Sequence, residues 1–316
     1  MKKKHVYVYS PSGAIRDKAA FKRGVRRLEL LGCEVEVDPA ALSSFMRFAG
    51  DDDTRLSAIE RAAASRADVA MISRGGYGLT RLLGRIPYKS IQKAVERGTD
   101  FIGFSDFTAF QLAAFAKSGI CTWAGPALCE GFGVPIDAAD PSTGPNEIME
   151  ACFSDFLAHE GEGAGWKISR DSEDSLKLMS GLHVKNAVLW GGNLSVLTSL
   201  IGTPYFPIVR KGVLFLEDVG ETPYRVERML SQLLHAGILK DQKAIILGQF
   251  TDIKASDHDK GFRFKSVIAW LQSQLKVPVL NNLPFGHVPT KVLLPFGTNV
   301  ELFVEGRDAL LVWGHR

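Results

Sequence analysis

Short apolar runs alternate with amphipathic stretches through the first part of the chain. "HVYVYSP" reads as a strand, a helical pattern runs from about Arg16 to Leu31, and "CEVEV" reads as the next strand. A second helical pattern follows in "RFAGDDDTRLSAIERAAASRA". Its acidic "DDD" lies near the start, where the helix dipole favours negative charge. "VAMIS", the loop "RGGYG", a helix from about Leu79, "DFIGF", a helix ending near Ser118 and "CTWAG" complete the alternation. Strands this short and this apolar predict a parallel sheet covered by helices on both faces.

The pattern then changes. "GVPIDAADPSTGPNE" (133–147) and "HEGEGAG" (159–165) flank a helix in "IMEACFSDFLA". Beyond them the strands lengthen and glycine turns recur, in "VLWGGNLSVLTSLIGTPYFP", "GVLFLEDVGE", "KAIILGQFTD", "VPVLNNLPFGH" and "KVLLPFGTNVELFVEG". Helices are expected at about Pro223–His235, with Thr222 as the cap and Pro223 in the first turn, and at about Phe262–Leu275. The expected organisation is an N-terminal α/β domain over residues 1–140, a connecting segment over 141–170 and a β-rich mixed domain over 171–316.

Composition narrows the function classes. A chain of 316 residues with 46% hydrophobic and 23% charged residues is ordinary for a globular protein. A formal charge of +3 without a Lys/Arg block argues against a nucleic-acid or membrane partner. Only five residues, His5 to Tyr9, separate the basic start from "SPSG". That is short of the roughly seven to fifteen apolar residues of a signal peptide, so a cytoplasmic location is expected. The four cysteines lack C-x-x-C spacing. They read as buried free thiols, and no His/Cys/Asp cluster stands at metal-ligand spacing.

Ligands of parallel sheets gather beyond the carboxyl ends of the strands. "RGGYG" and "GFSDFTAF" both follow such ends. Ser105 is therefore either a helix N-cap or a nucleophile at a strand-to-helix corner. A nucleophilic serine needs a base, and the base needs an orienting group. Among seven histidines, His5, His159, His258 and His315 fall in tails or loops, His183 begins a strand-like run and His235 ends a helix. His287 differs, at a strand end between Gly286 and a proline-bearing loop. For the acid, Glu217 follows four apolar residues, and a carboxylate buried there costs several kcal/mol unless it is paired. Asp218 and Glu221 read as the start of a loop that complements the next helix dipole. Gly75 or Gly76 and the backbone N–H of Asp106 are candidate oxyanion donors. "RGGYG" also reads as a tight turn or a phosphate cradle, although neither a dinucleotide fingerprint nor a Walker pattern is present. Arg74 beside it is placed to pair with a ligand carboxylate. On residues alone, a serine hydrolase and a small-molecule binding protein both stand.

Collected in order, these segments resemble the LD-carboxypeptidase family, the murein tetrapeptide carboxypeptidases of bacterial cell-wall recycling. The likeness is carried by "SPSG" at 10–13, "RFAG" at 47–50, "RGGYG" at 74–78, "GFSDFTA" at 103–109 and "WGGNLSVLTSLIGTPY" at 190–205. "LFLEDVGETPYRVERML" at 214–230, "AIILGQF" at 244–250 and "FGH" at 285–287 continue it. The resemblance implies a Rossmann-like first domain, a β-rich second domain, and a Ser105–Glu217–His287 triad completed between them. It implies oxyanion donors at Gly76 and Asp106, substrate contacts at Arg74 and Gly75, and a homodimer acting on muropeptides without a cofactor. Phe104 and Phe296 depart from the family's pattern, which touches substrate preference more than reaction class. A sister branch that cleaves peptide–nucleotide antibiotics of the microcin C type is the rival enzyme reading. A non-catalytic muropeptide-binding module is the rival outside enzymes.

Overall fold

The computed structural model describes residues 3–137, 144–169, 179, 181–254 and 257–314. Parts of the expected connecting segment (141–143 and 170) and His315 lie outside them. The chain divides into two compact units. One comprises Met1–Gly161 with Thr203–Pro207 and Pro289–Pro295; the other comprises Glu162–Gly202, Ile208–Val288 and Phe296–Arg316.

In the first unit β1 (His5–Tyr9), β2 (Glu34–Val37), β3 (Val69–Ile72), β4 (Asp100–Gly103) and β5 (Thr122–Ala124) lie in the order β5-β4-β3-β1-β2, each pair parallel. α1 (Lys18–Leu30), α2 (Asp52–Ala64), α3 (Tyr88–Glu96), α4 (Phe107–Ser118) and α5 (Glu147–Ala158) connect or follow them. Every residue of β3 is buried, as a strand covered on both faces requires. α1 and α2 start where carboxylates stop the preceding chain. Asp17 Oδ1 accepts from the N–H groups of Ala19 and Ala20, and Asp51 Oδ1 from that of Thr54. α4 has no polar face over its first turns: Phe107 to Ala114 are all buried. Phe107 stacks on Phe110 with ring centroids 4.8 Å apart, and each buried ring contributes about 1.5–3 kcal/mol. That anchors the segment immediately after Ser105. Gly119, at φ 64°, closes the helix.

The expected helix from Leu79 is only a 3₁₀ turn, Leu79–Arg81, and α3 begins after Pro87. Pro87 has no N–H to continue a helix.

The second unit holds β6 (Gly163–Lys167), β7 (His183–Asn193), β8 (Val213–Val219), β9 (Ala244–Thr251) and β10 (Val279–Leu280). β11 (Leu294–Phe296) instead joins the first sheet beside β5, and β12 (Asn299–Glu305) and β13 (Asp308–Val312) complete the second. Its order is β10-β9-β8-β7-β12-β13-β6. The β7–β10 side is parallel and the β12, β13, β6 side antiparallel, so the sheet is mixed. α6 (Leu194–Ser199), α7 (Pro223–His235) and α8 (Phe264–Gln274) accompany it.

Within "VLWGGNLSVLTSLIGTPYFP" the strand ends at Asn193, whose Oδ1 caps α6 by accepting from the Val196 N–H at 3.1 Å. Thr222 stands at the N-cap of α7, yet its hydroxyl makes no cap bond. All four cysteines are free, with Cys33 buried and the other three partly exposed. Among the described residues no helix is long and apolar enough to cross a membrane.

Candidate active site

Ser105 follows β4 by two residues and precedes α4. Its backbone is left-handed, at φ 63°. A serine held there is strained by about 1 kcal/mol or more and persists only where its surroundings impose it. Those surroundings are glycines. A Cβ on Gly103 would lie 2.7 Å from the Phe107 ring, so only glycine lets β4 run this close to α4. A Cβ on Gly75 would lie 2.7 Å from Ser105 Cβ and 2.8 Å from its Oγ, which puts the glycine-rich loop directly against the hydroxyl. The Asp106 nitrogen lies 3.7 Å from the same point.

The Gly75 carbonyl accepts from the Gly13 N–H at 3.2 Å. In a trans peptide this turns the Gly76 N–H the opposite way, and Gly76 at φ 115° continues a conformation that favours glycine. Arg74 lies in the same loop. Its guanidinium donates to the Ala14 carbonyl at 3.1 Å and meets Glu130 at 3.4 Å, so part of its donor set is already engaged.

Glu217 and His287 lie in the second unit and are hydrogen-bonded to each other, Nδ1 to Oε2, at 2.8 Å. Glu217 is fully buried near the end of β8. Pairing with β9 slips at this point: Leu216 faces Leu247 but Asp218 faces Phe250. The extra β9 residue forms a bulge that re-aims the neighbouring side chains. Gly248 in that bulge lets the chain close over Glu217, since a Cβ there would lie 2.5 Å from the Phe285 carbonyl oxygen. Gly286, at φ 134°, brings His287 in; its Cβ would lie 3.2 Å from that of Glu217. With Nδ1 on the carboxylate, the pair fixes the orientation of the imidazole.

The second oxygen of Glu217 is also held. Asn193 Nδ2 donates to Glu217 Oε1 at 3.1 Å and to Asp218 Oδ1 at 2.9 Å. Asp218 Oδ2 accepts from the Ser195 N–H at the start of α6. Burial pushes the Asp218 carboxyl up to about 6, and the neighbouring Glu217 charge adds to the rise against the donors around it.

Within the first unit, then, Ser105, Gly75, Gly76, Asp106 and Arg74 cluster at the ends of β3 and β4; within the second, Glu217 and His287 form a pair. Asn193 and Gly248 were missed as site residues. Their segments, "GGNL" and "ILGQF", were visible, but a bridging amide and a bulge glycine have no signature of their own. Among the described residues no group of three or more His, Cys, Asp or Glu side chains has metal-binding geometry.

The LD-carboxypeptidase N-terminal domain matches residues 6–125 and the LD-carboxypeptidase C-terminal domain residues 186–302. The chain belongs to the LD-carboxypeptidase family. Membership makes it a hydrolase of a serine carboxypeptidase class. The crystal structure of muramoyltetrapeptide carboxypeptidase from Oxalobacter formigenes is 34% identical, covers 98% of this chain and 99% of its own, and superposes with a TM-score of 0.84. The murein tetrapeptide carboxypeptidase of Pseudomonas aeruginosa is 29% identical over 94% of this chain and 92% of its own length. The microcin C7 self-immunity protein of Escherichia coli is 24% identical over 75% and 72%.

Proposed function

We propose that this LD-carboxypeptidase hydrolyses the L,D-peptide bond between meso-diaminopimelate and the terminal D-alanine of murein tetrapeptides, with Ser105 as nucleophile. The hydroxyl attacks the carbonyl carbon while His287 Nε2 takes its proton. The oxygen, now negative, is held by the N–H groups of Gly76 and Asp106. The imidazolium, stabilised by Glu217, returns the proton to the departing amine of D-alanine. Water then attacks the acyl ester, His287 again accepting the proton, and releases the tripeptide with Ser105 restored. Arg74 and Gly75 would line the peptide, and the remaining Arg74 donors suit its carboxylate. The enzyme would act as a cytoplasmic homodimer in peptidoglycan recycling.

The observation that carries this reading is the 2.8 Å hydrogen bond between buried Glu217 and His287. A buried carboxylate that fixes the imidazole through Nδ1 suits proton transfer at Nε2. The relationship to a self-immunity protein favours one alternative, cleavage of a peptide–nucleotide antibiotic. The purified chain is incubated separately with free murein tetrapeptide and with a peptidyl adenylate, and both are followed by mass spectrometry. Release of D-alanine with the adenylate left intact is expected. Cleavage of the adenylate alone would overturn the murein assignment.

A further inference from the structure

Asp106 occupies the N-cap position of α4, where a carboxylate ordinarily accepts from the first free N–H groups of its own helix. It makes no such bond. The side chain, only 2% exposed, turns back instead. Its Oδ2 accepts from the Ser12 hydroxyl and, at 3.0 Å, from the Leu79 N–H, and the Gly78 N–H faces it too. Ser12 is fully buried in the loop after β1, and Gly78 and Leu79 close the loop after β3. One carboxylate thus ties together the loops that follow β1, β3 and β4.

Arg55 of α2, also fully buried, backs this arrangement. Its guanidinium donates to the Pro11 carbonyl at 3.3 Å and to Asp52 at 2.5 Å, and lies 4.7 Å above the Phe48 ring. A Cβ on Gly78 would lie 2.5 Å from Arg55 Nη1, so the loop rests directly on the charge. Burial pushes the Asp106 carboxyl up from its ordinary range, while the Ser12 hydroxyl, the two N–H groups and Arg55 pull it down. An acceptor-only carboxylate suits a position surrounded by donors. An amide there would set its own N–H₂ against them.

We propose that Asp106 is a positioning residue. Its buried carboxylate clamps the Ser12 loop and the Gly78 end of the glycine-rich loop to the Ser105 corner, and so fixes where the Gly76 and Asp106 N–H groups meet the oxyanion. The inference rests on the reading of Ser105 as nucleophile. It assigns "SPSG" and the acidic residue of "SDFT" a shared role that a helix cap does not explain. Displaced oxyanion donors weaken transition-state binding more than ground-state binding, so the effect falls on kcat and not on KM.

The test compares wild type, Asp106→Asn and Ser12→Ala by two readouts: kcat and KM for D-alanine release, and the rate of Ser105 phosphonylation by a fluorophosphonate. Phosphonylation needs no murein peptide, so it decides the clamp even if the natural substrate proves different. Circular dichroism and melting temperature check folding. Asp106→Asn is expected to lower kcat and phosphonylation about 100-fold with KM within about twofold, and Ser12→Ala to lower both about 10-fold. A folded Asp106→Asn protein with wild-type kcat and labelling overturns the proposal, as does a loss confined to KM. If Asp106→Asn does not fold, Ser12→Ala decides, and wild-type rates in that variant overturn it. A wild-type protein that labels but releases no D-alanine defeats the murein reading alone. One that neither labels nor turns over defeats the nucleophile reading and the clamp together.

Discussion

The two halves of the proposed triad are built by different means. Around Ser105 close backbone approach places the hydroxyl, with a left-handed serine, glycines at 75, 76 and 103 and a loop pressed against it, and the Asp106 carboxylate ties the surrounding loops together. Around Glu217 and His287 a bulge and Gly286 bring the groups near, and side chains then fix them, with Asn193 on one carboxylate oxygen and the imidazole on the other. The difference follows from the chemistry. A nucleophile and its oxyanion donors need backbone N–H groups at a precise distance, which only close backbone approach supplies. A base and its orienting acid need a fixed tautomer, which a buried carboxylate supplies. Substitutions that remove atoms should therefore act differently in the two halves.

The sharpest break in the second half is Glu217→Gln. It keeps the shape of the side chain but offers Nδ1 an amide, so the imidazole loses the charge that steadies its protonated form. A fall in kcat of roughly 10³–10⁴-fold is expected, with little change in melting temperature. Steady-state D-alanine release and calorimetry on the same preparation check it. In the first half the corresponding break adds atoms. Gly75→Ala places a methyl against Ser105 Cβ and Oγ and is expected to lower kcat by about 100-fold, through displacement of the hydroxyl or the loop. Gly286→Ala, by contrast, forces alanine into a left-handed backbone beside Glu217. It should cost about 1–3 kcal/mol of stability as well as activity, measured as a shift in urea midpoint.

How far the sequence reveals each half follows the same division. The nucleophile corner was legible because a strand end, a serine and a helix start are contiguous in "GFSDFTAF". The strand-end glutamate was legible because a carboxylate after four apolar residues is costly without a partner. His287 was singled out by its glycine and its loop, and only the family resemblance tied it to Glu217, because their register depends on a bulge that no local pattern marks. Asn193, in "WGGNLSV", carries no signature of the role it takes. The Leu79 segment closes after one 3₁₀ turn, Leu79–Arg81, and the next helix waits until after Pro87, so its helical pattern does not continue. A sequence pattern shows propensity along the chain, whereas these features come from pairing across it.

A smaller effect sharpens the electrostatics of the second half. The Asp218 carboxyl, pushed up to about 6 by burial and by Glu217 beside it, holds its proton in the folded chain at pH values where the unfolded chain has lost it. Its contribution to stability is therefore full below about pH 4 and is lost as pH rises through about 6, by up to about 3 kcal/mol. Asp218→Asn removes this titration. Urea midpoints taken from pH 4 to 7 should fall for wild type relative to the variant, and parallel curves would show that Asp218 does not titrate in this range.

The claim that the two halves work as one unit is tested most directly by a cycle of Ser105→Ala, His287→Ala and the double variant, each assayed for kcat of D-alanine release. A nucleophile without its base and a base without its nucleophile are equally idle. Each single substitution is therefore expected to reduce kcat by about 10⁴-fold or more, with the double variant no slower than the worse single. Losses that multiply in the double variant, or near-wild-type turnover in either single one, would contradict it.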